Sequence, residues 1–179
     1  LQFSYKISNF EEEKPKNNLI AMYNFVYDIP TKVYFGKDQL SHLGEELKKF
    51  GNRVLLTYGG GSIKKIGLYD AVLAEIEKAG LELFELSGIE PNPRIESVRT
   101  GAEMCKEHKI DVVLAVGGGS TIDATKFMAA GACVDHDPWE FFGAGAKPIE
   151  RALPIVTILT LSATGSEMDA GGVISNLAT

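Results

Sequence analysis

Short apolar runs alternate along this chain with stretches in which apolar residues return every three or four positions. Val54-Leu55-Leu56-Thr57-Tyr58 and Val112-Val113-Leu114-Ala115-Val116 are near-continuous hydrophobic runs of strand length, and residues 153–159 form another. Runs of this kind suit strands covered on both faces. Lys32-Val33-Tyr34-Phe35 and the alternating residues 81–86 also read as strands. Between them, Leu40, Leu43, Leu47 and Phe50 share one helical face that Gly51 ends. Leu68, Val72, Leu73 and Ile76 make a second such face, stopped by Gly80. Ile95, Val98, Ala102 and Cys105 make a third, for which Asn92 is the predicted cap and Pro93 the predicted first helical residue. A helix of small residues, through Thr125 and Ala129, follows the Val112 strand.

Strands separated by helices in this way predict an α/β fold, a doubly wound and mostly parallel sheet with helices on both faces. Ligands of such sheets bind outside the carboxyl ends of the strands. Residues 1–21 break the pattern: Glu11-Glu12-Glu13-Lys14-Pro15-Lys16-Asn17-Asn18 is polar and without period. They are expected to be a flexible leader, with Met22 a natural start and the folded part beginning near Tyr23.

The same four-residue phrase follows two of the apolar runs, Gly59-Gly60-Gly61-Ser62 and Gly117-Gly118-Gly119-Ser120. Backbone without Cβ approaches a ligand closely, and the N–H groups that open a following helix attract an anion. One copy alone is as readily a plain tight connection, but two at one sheet edge point to a dinucleotide. Ser120 and Thr121 can cap the helix or donate to phosphate. Asp123 reads equally as a first-turn acid favoured by the helix dipole or as a cofactor contact, and Lys126 reads as a surface or interdomain residue. A third segment, Thr160-Leu161-Ser162-Ala163-Thr164-Gly165-Ser166-Glu167, again lies just past an apolar run, and its hydroxyls can line a pyrophosphate or nicotinamide site.

With 45% hydrophobic and 23% charged residues among 179, the chain can bury one real core. A net charge of −6 and the lack of a Lys/Arg-rich block argue against nucleic acid as a partner, while leaving a small anionic cofactor compatible. Cys105 and Cys133 lack metal or redox spacing, which fits a reduced, cytoplasmic setting. No stretch approaches the roughly 18 apolar residues of a membrane span, so no membrane partner is expected. His42, His108 and His136 are scattered; Asp135-His136-Asp137-Pro138-Trp139 resembles a metal loop only weakly, since Asp-Pro opens turns.

Tyr27-Asp28-Ile29-Pro30-Thr31-Lys32-Val33-Tyr34-Phe35-Gly36, the two glycine turns, Gly88-Ile89-Glu90-Pro91-Asn92-Pro93 and Leu161-Ser162-Ala163-Thr164-Gly165-Ser166-Glu167 together resemble the iron-containing (group III) alcohol dehydrogenases. Within that family the likeness is greatest to bacterial NAD(P)H-dependent butanol dehydrogenases, and it covers residues 22–179. It implies a Rossmann-like nucleotide-binding domain of a dehydroquinate-synthase-like two-domain protein, with a helical metal-binding domain beyond it. It also implies a small alcohol or aldehyde substrate and a homo-oligomer at full length.

By motif matching, the cofactor-binding set is Gly59, Gly60, Ser62, Asn92, Gly118, Gly119, Ser120, Asp123, Thr160, Leu161 and Thr164. Residues 117–120 would take the pyrophosphate, Asn92 would lie near adenosine, and residues 160–164 would run towards nicotinamide. The first turn carries no acid and is followed by Lys64 and Lys65, which favours NADP(H) over NAD(H). The family's divalent metal, iron or zinc, is held by an Asp and three His downstream of the 160–167 segment. No histidine follows Glu167 here, and Asp169 is too close to the glycine-rich turn to match the liganding Asp, so the metal ligands are expected beyond Thr179. The expectation is a partial chain that carries the cofactor half, no catalytic residue and no metal ligand, and is inactive alone. A polyol dehydrogenase of the glycerol type and a stand-alone nucleotide-binding module are the alternatives.

Overall fold

The structure is a computed structural model that describes residues 30–178. Four parallel strands form its sheet: β1 (Arg53–Tyr58), β2 (Glu82–Leu86), β3 (Val112–Gly117) and β4 (Ile155–Leu159), in the order β2-β1-β3-β4. Between them lie α1 (Leu43–Lys48), the single-turn α2 (Ser62–Lys65), α3 (Leu68–Lys78), α4 (Ile95–Glu107) and α5 (Gly119–Gly131). Short 3₁₀ turns occupy Gln39–His42, Pro138–Phe141 and Ser166–Met168.

Alternation along the central strands sorts the core into two layers. Val54, Leu56 and Tyr58 of β1 and Val112, Leu114 and Val116 of β3 pack with Leu43 and Leu47 of α1 and Val72 and Ile76 of α3. Leu55 and Val113 point the other way, towards Cys105 of α4 and Ala129 of α5. Leu55, Leu56, Val113 and Leu114 are wholly buried. Every residue of β1 after Arg53 has a packed neighbour on whichever side it faces, which is why the run shows no polar alternation.

Helices α4 and α5 meet through small residues. A Cβ on Gly101 would collide with the Met128 sulfur, and one on Gly131 would fall 3.0 Å from the Ala102 Cβ. Thr57 and Thr125 satisfy each other's buried hydroxyls at 2.6 Å, and Thr125 is 2.7 Å from the Thr121 carbonyl oxygen. Without these partners each hydroxyl would carry a desolvation penalty of about 1–3 kcal/mol.

The structure departs from the sequence expectations at several points. Residues 32–35 form no strand and pair with none among the described residues; Val33 is 51% and Phe35 97% exposed. Glu46 of α1 holds this segment instead, accepting hydrogen bonds from Lys32 and the Tyr34 hydroxyl. The hydrogen bond from Lys32, the strongest influence on it, pulls the Glu46 carboxyl down to about 2. Phe50 lies beyond the end of α1 and is 46% exposed, so it does not extend the buried face of Leu43 and Leu47. Asn92 does not cap α4: it sits in the left-handed region at φ 56°, and the helix starts at Ile95 behind an extended Arg94. There the Ile95 N–H donates to the Ser175 carbonyl and the Ser175 N–H to the Pro93 carbonyl, so a remote segment fixes the helix start. Three expectations lie outside the described residues: the leader over residues 1–21, the start at Met22 with the folded part beginning near Tyr23, and the metal ligands beyond Thr179, a residue that is itself outside them.

Candidate functional site

Strand order places a topological switch between β1 and β3, since the chain leaves β1 towards one edge and returns on its other side. Tyr58 pairs with Val116, so Gly59 and Gly117 lie side by side at that switch, Gly117 as the last residue of β3. The loop after β2 folds over the end of β1, where Gly88 N–H donates to the Gly59 carbonyl at 3.3 Å and Ile89 N–H to the Tyr58 carbonyl at 3.2 Å. On the other side, Thr160 N–H donates to the Gly117 carbonyl at 3.0 Å. Both glycine turns, the loop bearing Asn92 and the segment 160–166 therefore share one carboxyl edge.

Several predicted residues touch there. A Cβ on Gly119 would lie 3.2 Å from the Thr164 hydroxyl oxygen, and one on Gly118 would lie 3.8 Å from the Leu161 Cβ. A Cβ on Gly59 would be as close to the Ile89 carbonyl, 3.2 Å, and 4.0 Å from the Thr121 hydroxyl oxygen. Gly60, Ser62, Asn92 and Thr160 lie exposed on the same edge, and Ser120 is half-buried in the first turn of α5.

The second turn feeds a long helix. Gly118 is the N-cap of the 13-residue α5, and its carbonyl accepts from the Thr121 and Ile122 N–H groups. N–H groups that precede the first helical acceptor have no partner within the helix and point out of its end, where the dipole favours negative charge. Such an end is suited to phosphate. Gly117 is required sterically, because a Cβ would fall 2.5 Å from the Thr121 hydroxyl oxygen.

Asp123 lies past the first turn of α5, so it is not the first-turn acid of one expectation. Its Oδ1 accepts from the Ser166 hydroxyl at 2.5 Å and its Oδ2 from the Val173 N–H at 2.9 Å. One turn on, the Lys126 ammonium donates to Ser166 Oγ at 2.9 Å, Asp169 Oδ1 at 2.8 Å and the Gly171 carbonyl at 2.7 Å. Its side chain is only 14% exposed, which goes against the surface half of the surface-or-interdomain expectation. Lys126 also draws the Asp169 carboxyl below its usual range. Sequence reading missed Lys126, Ser166 and Asp169 as a set. The available signal was the i, i+3 spacing of Asp123 and Lys126, which puts both on one face of α5.

At the first turn, Lys64 Nζ lies 5.2 Å from the Tyr58 ring centroid and 4.4 Å from that of Tyr69. Both tyrosine hydroxyls donate to Glu85 of β2, and that hydrogen bond, with burial behind it, pushes the Tyr69 hydroxyl up to about 12. The cation beside this turn is thus already placed by two rings.

No group of three or more His, Cys, Asp or Glu side chains among the described residues can hold a metal ion. His42 stacks on Tyr34, His108 on Phe84, and His136 stands edge-on to Phe141. Asp137 accepts from the Trp139 N–H and pairs with Arg99, whose hydrogen bonds hold its carboxyl below the usual range. The 135–139 segment is a capped turn. Cys105 and Cys133 are unpaired, and burial pushes the Cys105 thiol up to about 12. No helix among the described residues is long and apolar enough to cross a membrane.

A family model described as iron-containing alcohol dehydrogenase matches residues 30–179. NADH-dependent butanol dehydrogenase A of Clostridium acetobutylicum is 54% identical over 158 residues, which is 88% of this chain and 40% of that protein. NADPH-dependent aldehyde reductase YqhD of Escherichia coli is 45% identical over 160 residues, 88% of this chain and 41% of that protein. The crystal structure of an NADH-dependent butanol dehydrogenase A from Thermotoga maritima superposes with a TM-score of 0.80 at 49% identity, covering 86% of this chain and 38% of that one. The chain spans about two fifths of the length of these relatives.

Proposed function

We propose a function from one premise, that this chain belongs to the iron-containing alcohol dehydrogenase family. Residues 22–179 form the nucleotide-binding part of an NAD(P)H-dependent alcohol or aldehyde oxidoreductase, preceded by a leader over residues 1–21. The nicotinamide cofactor supplies hydride exchange with the carbon of a small alcohol or aldehyde. This chain's residues bind and orient it. The N-terminus of α5, with Gly118, Gly119 and Ser120, receives the pyrophosphate; Asn92 lies towards adenosine; Thr160, Leu161 and Thr164 line the path to nicotinamide. Asp123 serves indirectly, through Ser166 and Val173.

The observation that carries this reading is the second glycine turn. It opens a 13-residue helix at the switch point and is bridged to the 160–166 segment through the Gly117 carbonyl and Gly119. The described residues do not fit a metal, so no step is assigned to one here. Its ligands are read as lying beyond Thr179, and the full-length protein as a cytoplasmic homo-oligomer.

For the cofactor, the first turn favours NADP(H): it bears Ser62 and Lys64 and no carboxylate. NAD(H) is the second reading, favoured by the likeness at 54% identity to butanol dehydrogenases named as NADH-dependent. Fluorescence titration of the purified chain with NADPH and NADH separates the two. NADPH is expected to bind the more tightly; equal affinity overturns the preference, and no binding of either overturns the nucleotide reading. The chain by itself is expected not to reduce butanal with added iron or zinc, and turnover above a metal-free control refutes that.

A further inference from the structure

Residues 160–164 approach the second glycine turn with little of their own to hold them. Thr160, Leu161, Ser162, Ala163 and Thr164 are all exposed, Leu161 at 67%. What fastens them is at their ends: the Thr160 N–H on the Gly117 carbonyl before them, and a polar knot directly after. In that knot Ser166 is buried, with its hydroxyl on Asp123 and the Lys126 ammonium on its oxygen. The same ammonium reaches Asp169 and the Gly171 carbonyl, and Asp123 holds the Val173 N–H. Both anchoring side chains come from one face of α5, the helix whose N-terminus is the phosphate end.

We infer that Lys126 is a positioning residue for the nucleotide site: by fastening Ser166, Asp169 and Gly171 to α5 it sets where residues 160–164 lie against Gly118 and Gly119. This inference rests on the nucleotide reading above. The physical ground is that the ammonium is a compact cation with three donors, and three acceptors from one short stretch of chain converge on it. An ordered strap does not have to be immobilised when the ligand arrives, so its ordering cost falls on folding and not on binding. Lys126 needs no contact with the cofactor to affect affinity.

The test uses the whole chain and the variants Lys126→Met, Lys126→Arg and Asp169→Asn, with Lys147→Met as a control that loses a surface pair with Glu140. Hydrogen exchange is followed by peptide, NADPH and NADH affinity by fluorescence, and global stability by denaturation. Lys126→Met is expected to weaken nucleotide binding about tenfold, the scale of losing charge-assisted hydrogen bonds. Amides of residues 160–173 should exchange faster while those of β1 and β3 keep their protection. Lys126→Arg, which keeps the charge but replaces a point cation by a planar fork, should recover part of the affinity. Asp169 is 56% exposed, so Asp169→Asn removes the charge that Lys126 pairs with at little risk to the fold, and should weaken binding by about two- to threefold. The control should bind as the unaltered chain does.

If the unaltered chain binds neither nucleotide, the functional reading fails and takes this inference with it. If it binds and Lys126→Met binds within about twofold of it, this inference alone fails. Should Lys126→Met not fold, unchanged exchange and affinity in Asp169→Asn overturn the inference just as clearly.

Discussion

The same four residues, Gly-Gly-Gly-Ser, occur twice at one sheet edge, and the structure treats them differently. After β1, the turn at residues 59–62 opens only the four-residue α2; a Cβ on Gly59 would meet the Ile89 carbonyl at 3.2 Å, but one on Gly60 or Gly61 would meet nothing within 4 Å. After β3, the turn at residues 117–120 opens the 13-residue α5 and is crowded, by Thr121 at Gly117 and by Thr164 at Gly119. Dipole strength and steric demand therefore concentrate on the second copy. Past Gly59 the first copy is an open shelf, edged by Lys64 on its two tyrosine rings. On the proposed reading, identical sequence serves as a phosphate clamp in one place and as a face for selectivity in the other.

The largest expected difference is steric. Gly117→Ala puts a methyl 2.5 Å from the Thr121 oxygen in a buried site and should cost about 1–3 kcal/mol of stability with loss of nucleotide binding. Gly60→Ala meets no neighbour and should stay within about 0.5 kcal/mol of the parent. Urea denaturation of the two variants decides it, and equal destabilisation would erase the contrast.

Next in size is Gly119→Ala. Its Cβ would press on the Thr164 hydroxyl at 3.2 Å, so affinity for either nucleotide should fall by about tenfold while stability changes by less than about 1 kcal/mol. A large fall in stability without a fall in affinity would show that the contact only supports the fold.

The first turn should instead change preference. Ser62→Asp adds a carboxylate where the shelf has none, and should weaken NADPH about tenfold while leaving NADH within about twofold. Parallel titrations read the ratio; equal losses for both nucleotides would remove selectivity from this turn.

Acid has the smallest effect. Lys126 depresses the folded-state pKa of Asp169 below that of an unfolded aspartate, near about 3.9. A depressed carboxylate contributes stability that is fully present above the unfolded value and is lost as pH falls through the folded one. Protection of residues 165–173 should therefore be flat down to about pH 4 and decline below it. Asp169 is more than half exposed, so the decline should be slight and weaker still in high salt. No acid dependence of this segment, with the rest of the fold intact, would show that the pair is not formed.

Sequence pattern was most informative where burial is two-sided. The runs in β1 and β3 have apolar neighbours on both faces, and their hydrophobicity declares them; α3 and α4 likewise bury Val72, Ile76, Ile95 and Val98 as their periodicity predicts. Local chemistry was less informative where distant chain decides. Asn92 and Pro93 have the character of a helix start, yet Ser175 sets that start through two backbone hydrogen bonds. Residues 32–35 read as a strand but have no ladder partner among the described residues. Asp123 was visible as a candidate and its partners were not, because both are contributed by residues 166 and 173.

By itself the sequence determined the class of fold, the sheet edge at which the glycine turns lie, and the family, since those rest on local periodicity and on contiguous motifs. Tertiary structure decided which glycine turn is crowded and which open, what Lys64 faces, and that Lys126 and Asp123 grip the strap beyond β4. The reason is physical. Strand and helix propensities are carried by neighbours in sequence, whereas steric demand at a glycine and the partners of a buried charge are carried by neighbours in space.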